Sequence, residues 1–199
     1  MTLNFTIKYD SGSSDFNGLD QYYGSQSLFG ISQALMISLN AFLNREIITQ
    51  APSAKGFRLV LGASKKGSWE QLIQLVVTDP NTQALIADLG KNALYDLLKY
   101  ILAGGVGLPA ALHYRKSRKR MRELERENDD LHEKLDDALK RAHSPVKHQG
   151  LNIQIMSGRT NLVTFDDMTL QFIETEFISD ETEIIRCAVN RFNTRTGNG

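Results

Sequence analysis

The feature that most constrains this chain is a long charged helical segment placed between two stretches with globular patterning. Residues 110–142 contain almost no helix breakers and are rich in charged residues. Residues 104–109 must end any preceding helix, because adjacent glycines lose much conformational entropy in a helix and the residue before a proline disfavours the α region. His143-Ser144-Pro145 ends the charged helix. We therefore expect an arm between two folded parts, with boundaries at 1–102, 103–143 and 144–199.

The arm carries an apolar residue pattern that repeats every seven residues over about three heptads. Its a positions hold Met121, Asn128, Leu135 and Ala142, and its d positions hold Leu124, Leu131 and Ala138. An asparagine at an a position fixes the register of a coiled coil and favours two strands. The pattern predicts self-association, as a dimer or higher oligomer, through Met121, Leu124, Asn128, Leu131 and Leu135. The alternative is a helix whose apolar stripe packs against its own domain.

The N-terminal part has the pattern of a β-α-β-β-α arrangement. Leu3, Phe5 and Ile7 alternate with polar residues and predict a strand, and the following apolar residues with helical spacing predict a helix to about Asn44 that Ser25 or Ser27 caps. Residues 57–77 predict a β-hairpin. Asp79-Pro80 then predicts the start of a helix that continues to about residue 101 and is bent at Gly90.

The C-terminal part predicts a smaller α+β portion. Two strands, 151–156 and 162–165, flank a turn at 157–160, and a short helix follows to about Thr175. A further strand is predicted at 183–192, and the Asn-Gly turn after it has no returning strand, so we expect the natural chain to continue. The fold class that these patterns predict is α+β.

The start of the arm is strongly basic. Six cationic residues lie within one short run: Arg115, Lys116, Arg118, Lys119, Arg120 and Arg122. A basic run before a zipper-like seam resembles the basic-zipper DNA readers, although these readers place asparagine and small residues in the basic helix to meet base edges. Contact with nucleic-acid phosphates without sequence readout is one alternative function for this run.

Residues 97–112 give a second alternative, membrane association. The segment is apolar apart from Lys99 and is followed at once by the basic run, as at the inner flank of a membrane span. It is shorter than the ~20 residues that span a bilayer, and glycines and a proline interrupt it. We expect this segment to be buried in the protein.

Composition limits the remaining function classes. Lys and Arg number 23 and Asp and Glu number 23, so no chain-wide field attracts polyanions, and any such affinity must come from a local patch. The single cysteine, Cys187, excludes an intrachain disulfide, and no secretory signal is visible, so a cytoplasmic location is expected. The four histidines show no obvious partners in the sequence, and we predict neither a metal site nor a cofactor nor a catalytic residue.

Several short motifs together resemble a family of uncharacterised bacterial proteins. They are Ser27-Leu28-Phe29-Gly30-Ile31, Gly56-Phe57, Gly67-Ser68-Trp69-Glu70, Ala142-His143-Ser144-Pro145, Asn190-Arg191-Phe192-Asn193 and Gly197-Asn198-Gly199. The resemblance implies a bacterial origin and relatives that continue past the last residue, and it brings no activity. Our expectation is a non-enzymatic interaction protein, a scaffold or sensor in a bacterial complex, that binds itself, with another protein as an alternative partner.

Overall fold

A computed structural model describes residues 1–11, 18–46, 56–62, 69–127 and 131–175. Its elements, in chain order, are β1 Thr2–Asp10, α1 Gln21–Asn44, β2 Phe57–Leu61, β3 Glu70–Val77, α2 Pro80–Leu89, α3 Lys91–Gly105, α4 Arg115–Glu127, α5 Leu131–Ala142, α6 Ser144–Gln149, β4 Asn152–Ser157, β5 Thr160–Phe165 and α7 Asp167–Glu174. The α+β class predicted from the sequence is confirmed.

The strands form one antiparallel sheet in the order β2-β3-β1-β4-β5. The central strand β1 pairs Phe5 with Ile73 of β3 and Ile7 with Ile155 of β4. These side chains are buried in one core with the helices, while the alternate residues of β1 are exposed or half-buried. Strands from the expected N-terminal and C-terminal parts therefore belong to one sheet, because β3 and β4 both pair with β1.

The helix caps follow the sequence at one helix and depart from it at another. Asp79 caps α2 as predicted, since its carboxylate accepts a hydrogen bond from the Thr82 N–H at 2.7 Å and Pro80 opens the helix. The cap of α1 is Asp20, which accepts hydrogen bonds from two backbone N–H groups, so the expectation of Ser25 or Ser27 was wrong. Ser27 is buried inside α1, where it makes a helix–helix contact instead.

Gly90 divides the predicted second helix. Its φ of +86° is a conformation that glycine adopts easily, and it separates α2 from α3 rather than only bending one helix. After α3 the chain runs without regular structure from residue 108 to 114, so the charged helix begins at Arg115, five residues later than predicted.

The predicted arm is not an extension from the protein. Met121, Leu124, Leu131 and Leu135 are all buried in the core of their own chain, as are Ala138 and Ala142. The seam is therefore covered by the same polypeptide, which is the alternative that the repeat left open, and Asn128 lies outside the described residues. An apolar stripe shows that a helix face must be covered but does not specify by which surface.

Helix α1 covers most of the seam. It lies close to α5 at Gly30. A Cβ atom at Gly30 would lie 2.5 Å from both the Ala138 carbonyl oxygen and the Ala142 nitrogen. The Ser27 hydroxyl donates a 2.7 Å hydrogen bond to the Ala142 carbonyl oxygen and accepts one from the Tyr9 hydroxyl. Ser27 and Gly30, in a motif of the noted resemblance, thus serve helix packing.

The hairpin and the short helix predicted for the C-terminal part are present, whereas helix α6 at Ser144–Gln149 was not predicted. The predicted turn joins β4 and β5, and α7 begins at Asp167 behind an Asp166 cap. The predicted strand at 183–192, the turn after it and Cys187 lie outside the described residues.

The expectation that residues 97–112 are buried holds for the helical part. Leu97, Leu98, Ile101 and Leu102 have no exposed surface, whereas Lys99 points to solvent. Among the described helices, α1 is long and apolar enough to cross a membrane, but 67% of its most apolar window is buried in the protein. A core helix meets the same criterion.

Candidate functional site

Helix α4 has two opposite faces of different chemistry. Ser117, Met121 and Leu124 form the buried face. Five cations with the spacing i, i+3, i+4, i+7 and i+11 are exposed on the opposite side, and we call them the basic stripe: Arg115, Arg118, Lys119, Arg122 and Arg126. With a rise of 1.5 Å per residue, the basic stripe is about 17 Å long.

Two of the six cations predicted as a nucleic-acid contact connect α4 to other helices. Arg120 is turned inward, its side chain is 14% exposed, and its Nε donates a 2.9 Å hydrogen bond to the Phe42 carbonyl oxygen near the end of α1. The Lys116 ammonium pairs with Asp88 at 3.0 Å. The other four belong to the basic stripe, and Arg126, which the sequence reasoning missed, extends it.

A cleft of about 340 Å³ lies beside the basic stripe, between α4 and the ends of α1 and α2. Lys119 is shared by the cleft and the stripe. Glu123 in this cleft pairs with Arg45 at 3.3 Å and with Arg120 at 3.4 Å. These ion pairs hold one side of α4 against α1. The charges of Arg45, Arg120 and Glu123 in the cleft are therefore used in structural contacts and do not converge on a ligand.

Asp96 of α3 holds the beginning of α4. Its side chain is 5% exposed, and it accepts hydrogen bonds from the backbone N–H groups of His113 at 2.9 Å and Tyr114 at 3.2 Å. Burial raises the pKa of this carboxyl, but the hydrogen bonds from Tyr114, His113 and Ser117 outweigh it and hold the pKa below the usual value. A carboxylate at this end of a helix also interacts favourably with the helix dipole.

The same carboxylate orients the imidazole of His113. Nδ1 of His113 lies 3.1 Å from Asp96 Oδ1, and because a carboxylate accepts, Nδ1 carries the proton and Nε2 is left for a ligand. The His113 side chain is 70% exposed and lines an open cleft of about 500 Å³ with Tyr95, Lys99 and Tyr114. An imidazole held by a carboxylate can bind a ligand or move a proton.

His143 has a different role, inside the core. Its Nδ1 donates a 2.8 Å hydrogen bond to the Leu139 carbonyl oxygen, its Nε2 lies 3.0 Å from the Thr169 hydroxyl, and its ring stacks on Phe165. Burial lowers the pKa of His143 to about 4, against smaller upward effects of the Leu139 carbonyl and the Asp166 and Glu174 carboxylates. The neutral ring ties α7 to α5.

No partner for His113 or His143 was obvious in the sequence, and the structure provides one for each. Their partners are brought close by tertiary structure: Asp96 lies across the glycine-rich break from His113, and Thr169 follows the β4–β5 hairpin. No local spacing signals either pair. Within the described ranges, no group of three or more His, Cys, Asp or Glu residues could hold a metal ion.

The comparisons with known proteins give a family but no activity. A domain of unknown function, DUF7946, matches residues 5–174, a range that covers every strand and helix described above apart from the first three residues of β1. No curated protein and no solved structure matches the chain. This is consistent with the resemblance to uncharacterised proteins noted in the sequence, and the chain belongs to the DUF7946 family.

Proposed function

We propose that the protein is a nucleic-acid-binding protein whose helix α4 contacts phosphate groups through the basic stripe. The observation that carries this proposal is the arrangement of α4, with its apolar face covered by its own chain and its cations on the side facing solvent. A row of arginine and lysine side chains along an exposed helix is the electrostatic pattern that a phosphate backbone complements.

Charge distribution supports a local polyanion site on a neutral protein. Helix α4 contains seven cationic and three anionic residues, a net charge of +4, whereas the whole chain has a formal net charge of zero. The three anions of α4 are Glu123, Glu125 and Glu127, and Glu123 already pairs with Arg45 and Arg120. The field of the helix is therefore positive on its exposed side.

The same arrangement argues against the two other candidate functions. Membrane association through residues 97–112 would need their apolar side chains to face lipid, and Leu97, Leu98, Ile101 and Leu102 are buried in the protein. Self-association through the predicted seam would require α4 and α5 to leave the core. Any self-association that preserves this fold must use other surfaces.

A salt titration of nucleic-acid binding tests the proposal. Five cations on a single strand predict that log affinity falls with log salt with a slope of about −3.5. The triple variant Arg118→Gln, Lys119→Gln, Arg122→Gln should weaken binding of a fluorescein-labelled single-stranded oligonucleotide and reduce that slope by about 2. Fluorescence anisotropy over a range of salt concentrations measures both quantities.

Helix α5 offers a matched control. The variant Lys134→Gln, Lys140→Gln, Arg141→Gln removes the same number of positive charges from an exposed helix side and should leave affinity and slope close to those of the wild type. Equal losses in both triple variants would contradict a site on α4. Absence of binding by the wild type at low salt, or binding of anionic vesicles in preference to oligonucleotide, would also overturn the proposal.

A further inference from the structure

We propose that the cleft lined by Tyr95, Lys99, His113 and Tyr114 binds an unstacked base of the nucleic acid, so that the polymer is recognised as a single strand. This inference rests on the proposed function and names the form of its ligand. The cleft, of about 500 Å³, is within the usual size range for small-molecule pockets and opens at the N-terminal end of α4.

The lining of the cleft suits a nucleotide. Tyr114 is 46% exposed, and the His113 side chain is also exposed. Their two rings offer aromatic surface on which a base can stack. Asn92 and Thr160 line the same cleft and supply amide and hydroxyl groups that can pair with base edges, while Lys99 supplies a cation for a phosphate. Stacking on aromatic rings next to a cationic track is how proteins bind single strands with little sequence preference.

The two aromatic residues are held in place before any ligand binds. The buried Asp96 carboxylate accepts both of their backbone N–H groups and also fixes the His113 ring. A preformed surface loses little conformational entropy on binding.

The cleft also continues the basic stripe. Tyr114 directly precedes Arg115, the first residue of the stripe. When the phosphates of a nucleic-acid strand lie along α4, the nucleotide beyond Arg115 therefore lies at the cleft. In a duplex the bases are paired and stacked, and placing one in the cleft would require it to flip out at a cost in free energy. A single strand offers its bases without that cost.

The experiment compares two oligomers that have equal numbers of phosphates. One is a fluorescein-labelled oligouridylate, and the other carries abasic spacers in place of its central nucleosides. We expect the wild type to bind the base-containing oligomer about tenfold more tightly, which is typical for loss of one stacked base. Tyr114→Ala should abolish this difference and Tyr114→Phe should retain it. Tyr22→Ala, which removes an exposed tyrosine on α1, is the matched control and should behave as the wild type.

The outcomes separate this inference from the function on which it rests. Equal, strongly salt-dependent binding of both oligomers by the wild type would leave the basic stripe as the site and overturn the role of the cleft. Binding of neither oligomer would overturn the proposed function itself. Uridine monophosphate could also displace the labelled oligomer equally well from the wild type and from the α4 triple variant. That result would show a pocket for free nucleotides and contradict the single-strand inference.

Discussion

Helices α4 and α5 share one apolar repeat but differ in what their other faces do. Both bury their seam residues, Met121 and Leu124 in α4 and Leu131 and Leu135 in α5. Helix α5 has three cationic and three anionic residues, and its Lys140 pairs with Asp136 at 2.7 Å. Helix α4 has a net charge of +4, with five cations exposed along one side.

The difference shows that the repeat and the charge pattern carry separate information. The repeat places both helices in the core, and α5 lies so close to α1 that Gly30 has no room for a side chain. The two helices then differ in charge: cations and anions are equal in number on α5, whereas cations exceed anions on α4. We infer function from the second property, because buried apolar stripes are common to structural helices.

The largest effect that we expect comes from emptying the seam of α5. Leu135→Ala should lower the free energy of unfolding by about 4 kcal/mol, because Leu135 is fully buried and the rigid helices around it cannot close the cavity. Leu124→Ala in α4 should cost less, about 2 kcal/mol, because α4 packs mainly on α1 and α3, whereas α5 also packs on α6 and α7. Urea denaturation of both variants measures the two losses. A larger loss for Leu124→Ala would contradict the more extensive packing of α5.

The His143 contact at the end of α5 predicts a dependence of stability on pH. The pKa of His143 is lowered from 6.5 to about 4 in the folded state, so below pH 6.5 the unfolded chain binds a proton that the folded protein does not. The contribution is complete above pH 6.5 and is lost as the pH falls to about 4, a total of about 3 kcal/mol.

Thermal or urea unfolding over this pH range measures that loss. His143→Gln should be less stable at neutral pH and should lack this part of the slope. The control His148→Gln replaces an exposed histidine that stacks on Tyr23 and should keep it. If the slope persists in His143→Gln, another group is responsible for it.

Closing the gap between α1 and α5 should have a smaller effect. A Cβ at position 30 meets backbone atoms of Ala138 and Ala142, which cannot rotate away, so Gly30→Ala should destabilise the protein by about 2 kcal/mol despite the better helix propensity of alanine. Ser25→Ala on the exposed side of α1 is the control and should be nearly neutral. A Gly30→Ala variant as stable as the wild type would mean that the two helices are further apart than described.

The sequence predicted the local structure well because local signals decide it. Alternation of Leu3, Phe5 and Ile7 was enough for β1, and Asp79-Pro80 was enough for the start of α2. The pairing of β1 with β4 could not be predicted, since the two strands are far apart in the sequence and no turn joins them. That pairing is what unites the two expected parts in one sheet.

The candidate site was predicted only in part, because it too depends on both local and long-range structure. The basic run was visible as composition, but only the helix geometry separates the exposed Arg118 from the inward Arg120. The cleft at the start of α4 was missed, because Asp96 and His113 meet only when α3 and α4 pack. The heptad repeat is the same whether the seam packs on a second chain or on its own chain. The sequence therefore does not distinguish the two arrangements.

Hydrogen exchange at several protein concentrations tests whether the seam is covered by its own chain. If α4 and α5 pack inside one chain, the protection of the amides around Leu124 and Leu135 does not change with concentration. If two chains pair through the seam, protection of these amides increases with concentration as the pairs form. We predict protection that is independent of concentration, and protection that increases as the protein is concentrated would contradict packing of the seam within one chain.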